Sequence, residues 1–351
     1  MVVFPARERG AFDGLGESSH MERIQLSNPT FEGHNNAYLF ADGPETVLVD
    51  TGDRAPGTLE QLSSKLEGRG VELADIDRVF LTHWHGDHRG LAGPIQRESG
   101  ADVYVHEDDA ALVGGDDDAW AALKDLQGGY FEDWGMPEDK REEVWEVLDF
   151  VAWKADAPDV ISIQGGETFA VNDTTLEAVH APGHTAGLCL FEIGRGDGQE
   201  VLTGDALLPK YTPNVGGADV RVEGPLKQYL GTLRAIVEAD YGLARPGHRD
   251  AIDDPAGRAE FIIHHHEERS YRVLDALRRH GPCDTWTVSD DLFGELEHIH
   301  ILHGPGESYA HLEHLQREGA VVREGNQYRL AGGIAEKLDQ LDGEYWELEG
   351  A

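Results

Sequence analysis

One short segment, Leu81–His88, constrains the fold of this chain more than any other. Four of its residues carry side chains that bind metals: His83, His85, Asp87 and His88. The preceding residues, 77–82, have the apolar pattern of a buried strand that ends in a turn. Imidazole nitrogens and carboxylate oxygens are good ligands for zinc and similar ions. The segment therefore predicts a metal site where a strand gives way to a helix, with the first two histidines pointing the same way.

Three later segments have the same form, an apolar strand followed by a short loop that carries a histidine or an aspartate. They end in Pro-Gly-His184, Gly-Asp205 and Pro-Gly-His248. An earlier strand over residues 46–50 brings Asp50 to a similar position. The glycines allow the backbone to bend sharply beside a site. We expect these loops to meet the first cluster in space.

With these motifs in this order, the chain resembles the metallo-β-lactamase superfamily over roughly residues 21–255. The resemblance implies an α+β fold, a four-layer αβ/βα sandwich, with two bound metal ions. One ion would be held by His83, His85 and His184. The second would be held by Asp87, His88 and His248. Asp205 would bridge the two ions, and Asp50 would orient a ligand from outside the site.

The expected ions are two zinc ions per chain, with iron or manganese as alternatives. Some di-iron redox relatives have glutamate where this chain has His85, so histidine favours a hydrolytic site. Two divalent metals about 3.5–4 Å apart would lower the pKa of a bridging water. Asp87 would carry a proton, and Asp87 and Asp205 are the predicted catalytic aspartates. The two cysteines, Cys189 and Cys283, lie in no catalytic motif and argue against a disulfide scaffold.

The chain of 351 residues carries 67 acidic side chains against 29 lysines and arginines, for a net charge of −38. The acids are spread along the whole chain, which favours a surface adapted to high salt, where screening weakens self-repulsion. The alternative is an ordinary acidic protein. The first residues contain no long apolar run, so we expect a cytoplasmic protein without a signal peptide or membrane span.

Composition and periodicity divide the chain into five parts. Residues 1–20 are predicted to be a flexible extension, with Met21 as the alternative start of the protein, and residues 21–255 are predicted to form the metallo-β-lactamase domain. Within that domain, residues 107–159 are predicted to be a helical cap insertion. Residues 256–332 are predicted to form a winged-helix domain, from three helices followed by a two-strand hairpin. Residues 333–351 are predicted to be an acidic, loosely attached tail.

Two segments are candidates for substrate contacts. The cap is rich in aromatic residues, which as a set suggest an apolar pocket wall, with Trp134 as a substrate contact. The segment after Asp205 resembles the corresponding loop of glyoxylase-like relatives. It offers Lys210, Tyr211 and Asn214 as further substrate contacts.

Several other histidines are interpreted as structural. His106 and His180 are expected to pack or form hydrogen bonds. Three consecutive residues, His264–His266, cannot converge on one ion, because successive helical residues point about 100° apart. The third helix of the winged-helix region carries Glu307, Glu313 and Glu318 against one arginine, Arg317. That charge favours a packing or lid module over nucleic-acid binding, which needs a positive face.

Three functions remain open. The first is hydrolysis of a small acyl substrate, a thioester, ester or lactone, with glyoxalase II-like cleavage as the leading example. Against a strict glyoxalase II, the sequence shows no basic cluster near its C-terminus for the carboxylates of glutathione. The second is cleavage of single-stranded RNA, since relatives with this layout are endoribonucleases. The third is a non-enzymatic winged-helix regulator. The oligomeric state, monomer or dimer, stays open.

Overall fold

Two large β-sheets lie face to face and carry helices on their outer surfaces. The computed structural model describes residues 21–28, 33–151, 156–194, 200–341 and 344–348. The predicted extension at 1–20 and the cap residue Trp153 lie outside the described residues. Among the described residues, no helix has both the length and the apolar character needed to cross a bilayer.

The described residues of the first sheet form six strands in sequence order. They are β1 (Glu22–Leu26), β2 (Asn35–Phe40), β3 (Val47–Val49), β4 (Arg78–Phe80), β5 (Asp102–His106) and β6 (Val160–Ile163). Strands β1 to β3 pair antiparallel, whereas β3 to β6 are parallel. Its helices are α1 (Thr58–Glu67), α2 (Gly86–Arg89), α3 (Ala92–Ser99), α4 (Glu107–Val113), α5 (Asp117–Asp133) and α6 (Glu138–Val151). The last three form the predicted helical cap.

The second sheet has the order β11-β10-β9-β8-β7. Its strands are β7 (Thr168–Val171), β8 (Thr174–His180), β9 (Cys189–Ile193), β10 (Glu200–Gly204) and β11 (Leu243–Pro246). Strands β10 and β11 pair parallel, and the other described neighbours pair antiparallel. Helix α7 (Pro225–Ala239) follows β10 in the chain and packs on the outer side with α8 (Pro255–His280).

Three apolar cores, formed by described residues, hold these layers together. Aromatic residues fill the space between the sheets, where Phe80 meets Phe191 edge-on with ring centroids 5.6 Å apart. A second core joins the first sheet to α1, α3 and the cap, and a third joins the second sheet to α7 and α8. Because the strand side chains alternate between faces, each sheet supplies both the inner and an outer core. This arrangement confirms the predicted α+β four-layer sandwich.

The C-terminal region follows the predicted order of three helices and a hairpin. After α8 come α9 (Thr285–Phe293), α10 (His300–Arg317), β12 (Val321–Glu324), β13 (Gln327–Leu330) and α11 (Ile334–Leu338). The third helix begins eight residues before the predicted start at Ser308. Its early turns contain Gly304-Pro305-Gly306, which reads as a helix breaker in sequence. Gly306 packs directly against the 216–217 loop. A Cβ on Gly306 would lie 2.1 Å from the Cα of Gly217, so a larger residue would not fit. The winged-helix interpretation stays a prediction.

The described part of the acidic tail is packed, so the prediction of loose attachment is wrong. Trp346 and Leu348 are each 6% exposed and belong to the same core as α7 and α8. The indole of Trp346 donates to Glu318 at 3.2 Å, and the Lys337 ammonium lies 4.0 Å from its ring centroid. Composition alone misses this, because two apolar residues suffice to anchor an otherwise acidic segment. The division of the chain at residue 255 stays a prediction.

Candidate metal centre

The predicted metal-binding residues lie at the carboxyl ends of strands from both sheets. Asp50 follows β3, His83 follows β4, His184 follows β8, Asp205 follows β10 and His248 follows β11. Helix α2 adds Asp87 and His88 from its first turns. Residues that are far apart in the chain therefore meet at one edge of the sandwich.

The first triad consists of His83, His85 and His184. The Nδ1 atom of His85 lies 3.0 Å from the Nε2 atoms of both His83 and His184. Ligand atoms around a tetrahedral zinc ion lie roughly 3.3 Å apart, given zinc–nitrogen bonds of about 2.0–2.1 Å. The three nitrogens are thus spaced as the ligands of one ion.

Hydrogen bonds on the far sides of the rings fix the tautomers. The Thr82 hydroxyl donates to Asp50 at 2.8 Å, so it accepts from Nδ1 of His83 at 3.0 Å. Nδ1 of His184 donates to the main-chain oxygen of Asn214 at 2.9 Å. Both rings therefore present an Nε2 lone pair to the centre. Nδ1 of His85 therefore faces two acceptor nitrogens. A cation bound by all three nitrogens satisfies them better than protons can.

The second triad consists of Asp87, His88 and His248. Oδ2 of Asp87 lies 3.4 Å from Nε2 of His248 and 3.8 Å from Nε2 of His88. Nδ1 of His88 donates to Asp50 at 2.9 Å, which leaves its Nε2 as an acceptor toward the centre. Asp50 thus orients a ligand of each triad, one directly and one through Thr82.

Asp205 lies between the two triads. Its Oδ2 is 3.8 Å from Nε2 of His184 in the first triad and 3.5 Å from Nε2 of His248 in the second. Its Oδ1 is 3.4 Å from Nε2 of His88, and neither of these two atoms makes a hydrogen bond among the described residues. A buried carboxylate oxygen and a buried imidazole nitrogen left without a bond are costly unless a cation joins them. The donor set fits two metal ions bridged by this carboxylate.

The electrostatics of the two triads differ. Burial lowers the pKa of His85 to about 3 and that of His83 well below its ordinary value. Burial opposes charge on His248 as well, but Asp205 and Asp87 outweigh it and raise its pKa to about 10. The first triad is therefore a set of neutral bases. The second lies in a strongly negative environment that attracts positive charge.

A glycine permits the close approach of the strands at the centre. A Cβ on Gly247 would lie 2.5 Å from the His88 ring and 2.7 Å from Oδ1 of Asp205. No larger residue fits there without displacing a ligand. The Pro-Gly-His motif therefore serves close packing as well as the turn.

A partly buried cation joins the two loops that carry the first triad, and no sequence motif indicates it. Nη2 of Arg221 lies 2.6 Å from Oδ1 of Asp109 and 2.6 Å from Oδ2 of Asp219. Both aspartates are fully buried. We call these three residues the Arg221 clamp. Its members lie up to 112 positions apart, so a local pattern cannot reveal it.

The Arg221 clamp binds the main chain on both sides of the first triad. Asp109 accepts from the amides of Trp84 and Gly187 at 3.1 and 3.2 Å. Asp219 accepts from the Trp84 indole at 3.1 Å and from the amide of Ala186 at 3.0 Å. Trp84 lies between His83 and His85, while Ala186 and Gly187 follow His184. The clamp therefore fixes the spacing of the two ligand loops.

The structure corrects part of the predicted substrate contacts. Trp134 has no exposed surface, so it cannot contact a substrate here. The Asn214 side chain is committed to its own loop and to α10, with its amide donating to the main-chain oxygen of His303 at 3.0 Å. Tyr211 and Lys210 remain exposed. Asn214 thus acts on the site through its main-chain bond to His184.

The cap aromatics pack against the C-terminal region and do not form a pocket wall as a set. Tyr130 and Trp134 of α5 lie 5.1 and 5.9 Å, between ring centroids, from Tyr309 of α10. Trp120 packs edge-on against Trp84 at 5.6 Å. The aromatic residues therefore pack the cap between the loops of the metal centre and α10.

Two further groups of potential ligands in the described part of the chain are explained without an ion. The rings of His106 and His180 stack in parallel at 4.1 Å, and one nitrogen of each is hydrogen-bonded to the main chain: Nδ1 of His106 accepts from the Asp108 amide, and Nε2 of His180 donates to the Ala186 oxygen. In the second group, His266 is hydrogen-bonded to His311 at 3.1 Å, and Arg269 donates to Glu307 at 2.8 Å. The guanidinium already neutralises that carboxylate.

The side chains of His264–His266 point to three different partners: Glu267, Arg269 and His311. This confirms that they do not converge on one ion. Glu307 is buried against Arg269, so only part of the predicted acidic face of α10 is exposed.

The fold and the convergent histidines and aspartates are those of a metal-dependent hydrolase built on two facing sheets. The chain belongs to the metallo-beta-lactamase superfamily, whose family model matches residues 30–248. Members of this superfamily use divalent metal ions, and the chain is an enzyme of this class.

Known proteins resemble the chain beyond that segment. It is 26% identical over 271 residues to the beta-lactamase-like protein 2 homolog of Drosophila melanogaster, covering 73% of each chain. A metallo-beta-lactamase family protein from Thermus thermophilus has a TM-score of 0.76 and 29% identity, over 89% of this chain and 99% of its own. A beta-lactamase domain protein from Burkholderia ambifaria shares the fold. The two structures have a TM-score of 0.74 and 21% sequence identity, over 90% of this chain and 93% of the other. The likeness in fold therefore includes much of the C-terminal region.

Proposed function

We propose that the chain hydrolyses a small acyl substrate, with a thioester as the preferred class and an ester or lactone as related substrates. One observation carries this proposal: two ligand triads converge on either side of Asp205. The donor set suits two zinc ions, with iron or manganese as alternatives. When bound, such a pair of ions lowers the pKa of a water between them and polarises the substrate carbonyl.

Water is the proposed nucleophile, because both cysteines are unsuited to the role. Cys189 and Cys283 are buried, and burial raises their pKa values to about 12 and about 11. In thioester hydrolysis the water oxygen bonds to the carbonyl carbon and the carbon–sulfur bond breaks. The proton released from water passes to the departing thiolate, giving one acid and one thiol.

Asp87 is the proposed carrier of that proton. Its Oδ2 lies 3.3 Å from the side-chain amides of both Asn28 and Asn35, which hold the carboxylate in place. Burial alone would raise the pKa of Asp87, but His88 and His248 outweigh it and lower the pKa. The carboxylate is therefore ionised at neutral pH, so it has the free oxygen that a proton carrier needs. Asp50 and Asn214 act by holding ligand rings in a single tautomer.

The proposal is tested on purified protein loaded with zinc or manganese at molar KCl. S-acyl thioesters, lactones and labelled single-stranded RNA are supplied in parallel, and thiol, acid and RNA fragments are measured. We expect thiol release that stops when a chelator removes the metal and returns when it is restored. Cleavage of RNA without thioester turnover would favour the endoribonuclease alternative. Absence of turnover on every substrate by metal-loaded protein would favour a regulator.

We further propose that the surface is adapted to high salt, as the net charge of −38 suggests. The Debye length grows from about 3 Å at 1 M salt to about 10 Å at 0.1 M, so repulsion between carboxylates strengthens as salt is withdrawn. The free energy of unfolding should therefore fall steadily as KCl is lowered, measured by urea denaturation. An ordinary acidic protein would keep its stability across that range. The cytoplasmic location stays a prediction.

A further inference from the structure

Three cations gather beside the metal centre, and among the described residues they have no carboxylate partner. The chain has more than two acids for every lysine or arginine, and most arginines in the described part form ion pairs. Within those same residues, Lys210, Arg249 and Arg258 form none. The carboxylate next along the chain, Asp250, is engaged by Arg23 at 3.3 Å. A cluster of unpaired cations is therefore unusual for this protein.

The three cations surround Tyr211, which is 43% exposed. The Lys210 ammonium lies 5.2 Å and the Arg249 guanidinium carbon 4.7 Å from its ring centroid. Arg258 donates to the main-chain oxygen of Tyr211 at 2.8 Å and to that of Leu208 at 2.7 Å. The cation–π contacts hold the charges in place without neutralising them. We call these four residues, Lys210, Tyr211, Arg249 and Arg258, the Tyr211 patch.

The Tyr211 patch lies at the rim of the metal centre. Arg249 directly follows His248 of the second triad, and Nη2 of Arg249 lies 3.9 Å from the position that a Cβ on Gly33 would take. Two residues beyond Gly33, the Asn35 amide lies 3.3 Å from Asp87 of the second triad. Arg249 therefore borders both the loop that carries His248 and the segment that contacts Asp87.

The backbone of Arg249 is held in an unfavourable conformation. Its φ is 66°, in the left-handed region that side-chain-bearing residues seldom adopt. Asn36 and Arg23 donate to its main-chain oxygen at 2.8 and 2.9 Å and so fix it there. Its Nε atom is buried and makes no hydrogen bond among the described residues. Backbone strain of this kind, fixed by hydrogen bonds, is concentrated at ligand-binding and active sites.

We propose that the Tyr211 patch is an anion-binding subsite, which takes a carboxylate or phosphate carried by the substrate. Guanidinium groups bind both anions through charge-assisted hydrogen bonds. This inference rests on the proposed hydrolase function and names its substrate class, an acyl thioester with an anionic group on its thiol portion. The basic cluster that is missing from the linear sequence near the C-terminus is supplied here by three separated residues.

Direct binding tests the subsite without turnover. The probes are two thioethers without an ester or thioester bond, N-acetyl-S-benzylcysteine and its neutral N-methylamide, titrated calorimetrically into metal-loaded protein at the lowest KCl that keeps it folded. S-benzyl phosphopantetheine tests phosphate in place of carboxylate. We expect the anionic probes to bind at least about 10-fold more tightly than the amide. The larger of the two anionic gains identifies which group the patch prefers.

Substitutions of Arg249 test whether the Tyr211 patch causes the preference for an anionic probe. Arg249→Gln should lower the affinity for the preferred anion about 10-fold and leave binding of the amide unchanged, while Arg249→Lys should restore part of the lost affinity. Lys65→Gln on α1 is the matched control and should change the binding of neither probe. Equal binding of anion and amide by the wild type would overturn the subsite. So would a preference that survives in Arg249→Gln, because the anion would then be bound by the metal ions.

Kinetics separate the subsite from the hydrolase function. One acyl group is joined to N-acetylcysteine, to phosphopantetheine and to neutral N-acetylcysteamine. Arg249→Gln should raise KM about 10-fold for the preferred anionic thioester, with kcat and the neutral substrate little changed. If no thioester is cleaved but the binding preference persists, the function fails and the subsite stands. If all three are cleaved alike and bind alike, the subsite fails alone.

Discussion

Replacing Asp205 by alanine is expected to remove most of the activity and at least one of the two proposed metal ions. The carboxylate lies between the triads, within 3.4–3.8 Å of ligand nitrogens on three histidines, so its loss affects both sites at once. We expect kcat/KM to fall about 10³-fold or more, and bound metal, measured by elemental analysis, to fall from near two per chain to one or fewer.

The Asp205→Ala variant should remain folded at high salt. Oδ1 of the carboxylate makes no hydrogen bond to any described residue, and removing it deletes a buried negative charge beside Asp87. The matched control is His180→Asn, whose side chain lies outside both triads and stacks on His106. That control should keep near two metals per chain. Full turnover by Asp205→Ala would refute the bridging role, and loss of one metal in the control would show that the ligands are wrongly assigned.

Replacing Arg221 by methionine is expected to have the largest effect on stability. The change keeps an unbranched side chain but leaves Asp109 and Asp219 buried without their shared cation. Breaking a buried pair in this way costs about 3–5 kcal/mol in the free energy of unfolding. Because the clamp holds the loops on both sides of the first triad, metal affinity should fall too. Denaturant unfolding at constant KCl, with and without metal, measures both effects.

The effect of Arg221→Met should depend on pH. Burial raises the pKa of Asp109 to about 6 even though Arg221 lowers it. A carboxyl whose pKa is higher in the folded state binds more protons there, so its ionisation reduces stability as pH rises through this range. Without the arginine the pKa of Asp109 rises further. The stability gap between variant and wild type should therefore be smaller near pH 5 than near pH 8.

A second substitution tests whether buried charge is the cause. Asp109→Asn added to Arg221→Met removes one of the two unpaired carboxylates and keeps one of the two oxygens that accept from main-chain amides. The double variant should show a weaker pH dependence of stability than Arg221→Met alone. A double variant that keeps the full pH dependence would mean that the charge of Asp109 does not explain the loss.

The candidate ligands could be picked out in the sequence because metal chemistry favours histidine and carboxylates, and the strand-then-loop pattern places each near a strand end. Their division between two ions came from the resemblance to the superfamily, and their role as ligands stays a prediction. The helices within residues 107–151 and the order of the C-terminal elements agree with the sequence pattern.

Other features could not be predicted, because they depend on which distant surfaces meet. Trp134 looked like a pocket residue and is buried against α10, and Asn214 looked like a substrate contact and secures a loop. The first turns of α10 were missed because Gly304-Pro305-Gly306 resembles a break. In each instance tertiary packing, not local preference, determines the environment.

The sequence by itself determined the family, the four-layer architecture and the residues offered to two metal ions, since side-chain chemistry and strand periodicity are properties of short segments. Only the tertiary structure decided how those ligands are oriented and what surrounds them. The Arg221 clamp joins residues 112 positions apart, and Lys210, Arg249 and Arg258 become neighbours only when β11 and α8 pack beside the loop after β10. Hydrogen bonds and charge interactions act over a few ångströms in space, and the folded chain sets those distances.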